Sequence, residues 1–174
     1  MRMPIQKITR IALLSAILYV VKVALEFLPN VELISFLTII YTLVFGKEAF
    51  LIVTVFNMFE LVQWGFGSWW VSYLYVWPLL VLIVLVVKKL LAKLGYSQEE
   101  FIIWAMVSGG FGLIFGSLFA LVYIPVDLGY AFSYWICGLP WDVWHAVCNF
   151  ILMLVIGRPV YRGLKQVVVK VNYI

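Results

Sequence analysis

Charge is scarce in this sequence. Asp, Glu, Lys and Arg make up 11% of the 174 residues, while 66% are hydrophobic and the mean hydropathy is +1.12. A water-soluble domain carries about 25% charged residues, so too little polar surface is available here to cover a soluble fold. Soluble enzymes, nucleic-acid binders and disordered tails are excluded on that ground. Histidine is nearly absent too, and the single His145 excludes a multi-histidine metal site. The two cysteines, Cys137 and Cys148, form neither a C-x-x-C nor a zinc spacing and read as buried free thiols. No glycine-rich phosphate loop of the Walker type, no H-E-x-x-H and no G-x-S-x-G occurs, so the chain offers no ATPase, metalloprotease or hydrolase motif. The expectation is a chain that is not an enzyme and holds no cofactor of its own.

What is present is apolar sequence in long runs. A membrane-spanning helix needs about 20 mostly apolar residues. The runs at about 8–28, 31–45, 49–64, 69–87, 101–122 and 141–157 predict an all-α integral membrane protein with six transmembrane helices in one domain over residues 1–174. Pro29-Asn30, Gly46-Lys47-Glu48 and Gly65-Phe66-Gly67-Ser68 punctuate the first three connections. Residues 88–100 are the only long polar stretch, where Ser97 and Glu100 have capping-box spacing. A long connection is expected from Pro125 to Pro140. A cleaved signal peptide fits poorly, because Lys22 interrupts the first apolar run and no A-x-A site follows.

The few charges are sorted. With the N-terminus in the cytoplasm, Arg2, Lys7, Arg10, Lys47, Lys88, Lys89, Lys93, Arg158, Arg162, Lys165 and Lys170 all fall inside, and only Lys22 does not. Cytoplasmic loops collect Lys and Arg, so both termini are expected in the cytoplasm of a multi-pass protein of the cell membrane. The net charge of +4 is then an orientation signal in a lipid bilayer and implies no nucleic-acid partner. Glu26, Glu32, Glu60, Asp127 and Asp142 instead lie at the outer side or within the membrane.

Aromatic residues follow the acids. Of 18 Trp and Tyr residues, most fall in two windows at outer helix ends. Trp64, Trp69, Trp70, Tyr73, Tyr75 and Trp77 form one; Tyr123, Tyr130, Tyr134, Trp135, Trp141 and Trp144 form the other. An interfacial belt would give rings at the headgroup level on both sides. The inner side has only Tyr96, Trp104, Tyr161 and Tyr173, and that asymmetry favours an outward pocket lined by rings.

Polar residues inside the apolar runs are costly in hydrocarbon unless partnered. Asn57, Glu60 and Trp64 stand at i, i+3 and i+7 on one face of the third helix. Trp141, His145 and Asn149 share a face of the sixth, beside Asp142 and Trp144. Lys22 and Glu26 are four apart and within pairing reach. His145 reads either as a hydrogen-bonded packing residue or as a direct substrate contact. Ser108, Gly112, Gly116 and Ala120 repeat every four residues, a stripe that lets another helix of this chain approach closely. Ala12 and Ala16 form a shorter stripe in the first helix.

In layout the chain resembles the substrate-binding S-component of energy-coupling factor vitamin transporters. Six short helices, Ala12-xxx-Ala16 and the Trp-rich outer face carry the resemblance. Leu28-Pro29-Asn30-Val31-Glu32 and Leu43-Val44-Phe45-Gly46 look like the corresponding stretches of a subgroup. The resemblance implies a vitamin bound from outside, in a cavity formed by outer loops and helices four to six, and a toppling of the whole subunit during transport. It implies a membrane coupling subunit, contacted through Ala12 and Ala16, and two cytoplasmic ATPases that alone use ATP. Asn30, Glu32, Asn57, Glu60, Asp142, His145 and Asn149, with Trp64, Trp69, Trp70, Tyr73, Tyr130, Tyr134, Trp135, Trp141 and Trp144, are the candidate ligand contacts. Cobalamin is the vitamin the subgroup resemblance points to. Pantothenate, pyridoxine and a queuosine precursor are the alternatives, and a stand-alone carrier or an intramembrane enzyme is the competing class.

Overall fold

Helices account for nearly all of the chain in a computed structural model that describes residues 4–28 and 32–171. The order is α1 (Ile5–Leu25), α2 (Ile34–Phe45), α3 (Ala49–Trp64), α4 (Ser68–Lys93), α5 (Phe101–Ala120) and α6 (Leu128–Val171). No strand occurs among the described residues. Asn30, and with it Pro29 and Val31, lies outside them.

Among the described residues, five helical segments are long and apolar enough to cross a membrane: Ile5–Leu25, Ile34–Trp64, Ser68–Lys93, Phe101–Tyr123 and Leu128–Val169. The second contains both α2 and α3. Taken singly, the 12 residues of α2 reach about 18 Å, short of the roughly 30 Å hydrocarbon core. The chain reverses between them at Gly46, whose φ of 60° is open to glycine at no steric cost.

Pairing fixes the helix directions. Arg10 meets Glu48 at 2.6 Å, Ser15 Oγ donates to the Ile52 carbonyl at 2.8 Å, and Lys22 pairs with Glu60, so α1 and α3 run parallel. At one end of the bundle Glu32, before α2, meets His145 of α6. At the other, the Lys88 ammonium donates to the Leu43 carbonyl, so α2 runs against α3. These directions gather Lys7, Arg10, Lys88 and Arg162 at one end and Glu26, Glu32, Glu60 and Asp142 at the opposite one, hereafter the basic and acidic ends.

The tightest packing is α5 against α6, and the small-residue stripe makes it possible. A Cβ on Gly112 would lie 2.9 Å from the Ala146 backbone nitrogen, and one on Gly116 would lie 2.5 Å from the Asp142 carboxylate. Only hydrogen fits at these positions, so the two backbones touch.

Several expectations drawn from sequence are corrected. The largest concerns α6, a single helix of 44 residues containing Pro140 and Pro159, where a connection up to Pro140 and a span from 141 were expected. Proline removes one donor and crowds one turn, yet neighbouring helices and local adjustment compensate for that in apolar bundles. The true start is marked by Asp127, whose Oδ1 accepts the Tyr130 N–H at 2.8 Å, a side-chain cap of the ordinary kind. Likewise α4 continues past Val87 through both lysines to Lys93. It ends at Gly95 (φ 77°), where the Tyr96 N–H reaches the Leu91 carbonyl and the Gly95 N–H reaches that of Ala92, a Schellman closure. The capping box does not form: α5 starts only at Phe101, with Glu100 itself at the N-cap and making no side-chain cap, and the Ser97 hydroxyl accepts from the Glu99 N–H instead. Cys137 is exposed and Cys148 half-buried, so neither is the buried thiol expected.

Candidate ligand-binding site

At the acidic end five elements converge on a cavity of about 190 Å³ lined by Lys22, Leu25, Glu26, Leu28, Glu32, Tyr73, Trp77, Phe115 and His145. Its walls are aromatic because α4 presents Tyr73 and Trp77, four apart on one helical face, with Trp69 a turn earlier on the same face behind them. Tyr73 packs edge-on against Trp69 and Trp77, with centroids 5.5 and 5.3 Å apart. Phe115 of α5 adds its ring 5.7 Å from Trp77 and 4.9 Å from His145.

Two side-chain pairs sit on this frame. The first joins Lys22 of α1 to Glu60 of α3, and not to Glu26 as the four-residue spacing suggests. Local spacing brings Lys22 near Glu26, but the parallel contact of α1 with α3 offers a fully buried carboxylate that needs a counter-charge more. The Lys22 ammonium also lies 5.9 Å from the ring centroids of Trp64, Trp69 and Tyr73. In the second pair, His145 Nε2 is 3.1 Å from Glu32 Oε1. That carboxylate also caps α2, accepting the backbone N–H groups of Ile34 and Ser35 and the Ser35 hydroxyl. Glu32 therefore starts a helix and holds an imidazole with the same two oxygens.

Around these pairs several buried polar atoms have no hydrogen-bond partner: Glu60 Oε1, Asn57 Oδ1, Trp77 Nε1, Asp142 Oδ2 and both amide atoms of Asn149. Orphaned groups of this kind cost about 1–3 kcal/mol each. Others lie elsewhere, at Arg10 Nε of the basic end and at the Thr38 and Ser108 hydroxyls, so orphaned atoms are spread along the bundle; those beside the cavity are free to take a further donor or acceptor.

The residues singled out from sequence do not all meet in one place. Glu32, Tyr73 and His145 line the cavity itself, with Glu60, Trp64 and Trp69 packed around Lys22 just behind it. Asn57 and Trp70 brace that wall, since Asn57 Nδ2 donates to the Tyr73 carbonyl and Trp70 Nε1 to the Asn57 carbonyl. Tyr134, Trp141 and Asp142 instead line a neighbouring open groove of about 500 Å³ between α5 and α6, together with Phe115, Gly116, Phe119, Cys137 and Gly138. There Asp142 Oδ1 accepts the Gly116 N–H at 2.9 Å. Tyr130 meets Tyr123 edge-on at the rim, Trp135 packs on Phe132, and Trp144 is half exposed on the flank of α6. None of these three lines the cavity. Asn149 is buried one turn below His145.

Sequence reasoning left Lys22, Glu26, Trp77 and Phe115 off the list of ligand contacts. Trp77 carried a usable signal, standing one turn beyond Tyr73. Phe115 carried none, being one phenylalanine of 13. Of the α1 stripe, Ala12 is exposed and Ala16 half-buried. No grouping of three or more metal-ligating side chains occurs among the described residues. No family model matches this chain, and no curated protein or solved structure shows significant similarity to it.

Proposed function

We propose that this chain is the substrate-binding subunit of an energy-coupling factor importer, a six-span protein of the cell membrane with both termini in the cytoplasm. It binds a vitamin at its outer, acidic end and is not itself an enzyme; a coupling subunit and two ATPases supply the energy. The observation that carries the reading is the ring-walled cavity holding Lys22, Glu32 and His145 at one end of an otherwise apolar bundle. Ionisable groups inside a membrane protein are expensive and mark ligand or ion pathways. The segregation of basic residues to the opposite end supports the orientation. The exposed Ala12 beside half-buried Ala16 supports α1 as the face toward the coupling subunit.

A cavity of about 190 Å³ lies below the range of roughly 300–1,000 Å³ usual for ligand pockets, and it favours a small planar vitamin such as pyridoxine. Cobalamin is the second reading. In its favour, Phe115 lines both the cavity and the groove of about 500 Å³ beside it, so the two adjoin and a larger ligand has room to extend from one toward the other.

Titration of the purified chain in nanodiscs with pyridoxine, pantothenate, a queuosine precursor and cobalamin, followed by Trp fluorescence and calorimetry, tests the reading. Saturable binding at micromolar ligand is expected for one of them, and silence across the panel would overturn it. Uptake into liposomes by this chain alone would favour a stand-alone carrier instead.

A further inference from the structure

The ammonium of Lys22 stands in a cage. Trp64, Trp69 and Tyr73 each place a ring centroid 5.9 Å from Nζ, and the Glu60 carboxylate closes the remaining side. The negative face of an aromatic ring attracts a cation, and several rings around one nitrogen are the usual means of recognising alkylated ammonium groups. A buried carboxylate at the same point adds a full counter-charge.

The cage and its present occupant are unequally committed. Glu60 is fully buried, whereas the Lys22 side chain is 27% exposed and lines the cavity. Glu60 uses one oxygen on Lys22 and leaves Oε1 buried without a partner. Lys22 also has another carboxylate within reach, because Glu26 stands one helical turn further along α1 and lines the same cavity. The ammonium can therefore leave Glu60 without becoming unpaired. Glu26 and Glu60 outnumber Lys22 here, with Glu32 held on His145, so the surroundings repel a free anion and attract a cation.

We propose that Trp64, Trp69, Tyr73 and Glu60 form an organic-cation subsite in which Lys22 is a displaceable occupant. A positively charged nitrogen on the ligand takes its place as Lys22 moves to Glu26. The ligand class is thus an alkylated ammonium or a cationic aromatic nitrogen with an apolar remainder. The proposal rests on the cavity being the substrate site, and it deepens that reading.

Tetramethylammonium is the probe, with tert-butanol as a neutral molecule of similar shape and sodium as the control for ionic strength. The full chain in nanodiscs is titrated by Trp fluorescence, with thermal unfolding to verify the fold of each variant. Tetramethylammonium should change the emission saturably, and tert-butanol should not. Lys22→Gln, which keeps a donor for Glu60 but no charge, should bind the cation about tenfold more tightly. Trp64→Leu, at a half-exposed position that tolerates change, should bind it several-fold more weakly in the wild-type background. Equal responses to the cation and to tert-butanol would overturn the proposal. So would a folded Lys22→Gln with unchanged affinity, or an unaltered Trp64→Leu if Lys22→Gln does not fold. A vitamin that binds while tetramethylammonium does not would remove the cage alone; the reverse result would remove the transport reading and leave the cage.

Discussion

Lys22 and Glu60 lie 38 residues apart, yet they form one ion pair across the parallel contact of α1 with α3, with Glu60 fully buried and Lys22 reaching it from the cavity side. A buried pair is weak evidence for net stability, because desolvating two charges offsets much of their attraction. Breaking it is another matter, since an uncompensated charge then remains in the bundle.

Removing either partner alone should therefore be costly. Lys22→Met is expected to destabilise the chain by about 3 kcal/mol, the low end of the range for buried pairs because Lys22 keeps some exposure. The double variant Lys22→Met/Glu60→Met should recover most of that loss. Thermal unfolding in detergent across the four proteins of the cycle checks this, and additive losses would show that the two side chains act independently.

Glu32 has two structural duties, the cap of α2 and the partner of His145. Glu32→Ala should cost about 2 kcal/mol, the sum of a lost cap and a lost charge-assisted hydrogen bond. Glu32→Gln keeps an acceptor for the Ile34 and Ser35 N–H groups and should cost less than half as much. Hydrogen exchange at the first turn of α2 separates the two: it should rise in the alanine variant and stay near wild type in the glutamine variant.

Much of this architecture was legible in the sequence, and the illegible parts have particular causes. The run from Ala49 to Trp64 coincides with α3 because Gly46 and Gly65 bound it on both sides. The every-fourth-residue stripe from Ser108 marked the face of α5 that α6 covers, since close helix approach demands small side chains wherever it happens. The partner of Lys22 was hidden because sequence spacing shows only neighbours on one helix, and Glu26 is such a neighbour. The start of α6 was hidden behind Pro140, which stops a helix in water but not in an apolar bundle; Asp127, a good N-cap, was the overlooked signal. Phe115 could not be singled out at all, since its importance lies in standing between two cavities, a property of the assembled bundle.

The glycines of α5 provide a paired test of that helix contact. Gly112 would direct a Cβ to within 2.9 Å of backbone atoms of α6, whereas Gly110 has nothing within 4 Å of its Cβ position. Backbone cannot yield as a flexible side chain does, so Gly112→Ala should lose about 1–3 kcal/mol by overpacking. Gly110→Ala should be neutral or gain up to about 1 kcal/mol from improved helix propensity. Equal effects of the two changes in thermal unfolding would mean that the α5–α6 contact is looser than the structure has it.

The basic end provides a prediction in pH. Glu99, in the connection before α5, accepts from Arg162 Nε at 2.9 Å and Nη2 at 2.6 Å, while Arg158 donates to its carbonyl. The hydrogen bond from Arg162 is the largest influence on the Glu99 carboxyl and holds it below the ordinary carboxylate range. A carboxyl that binds protons more weakly folded than unfolded stabilises the fold above its unfolded pKa, about 4.3 for Glu, and loses that contribution as pH falls through the lower, folded value. The tether between the α4–α5 connection and α6 should thus be intact at neutral pH and released only in acid below about pH 4. Being exposed, it should also weaken in high salt. Glu99→Gln should flatten the acid limb of the unfolding profile only in part, since Glu48 is paired with Lys7 and Arg10 at the same end. Persistence of the same acid dependence in Glu99→Gln would assign that transition to another carboxylate, with Glu48, held by Lys7 and Arg10, the next to replace.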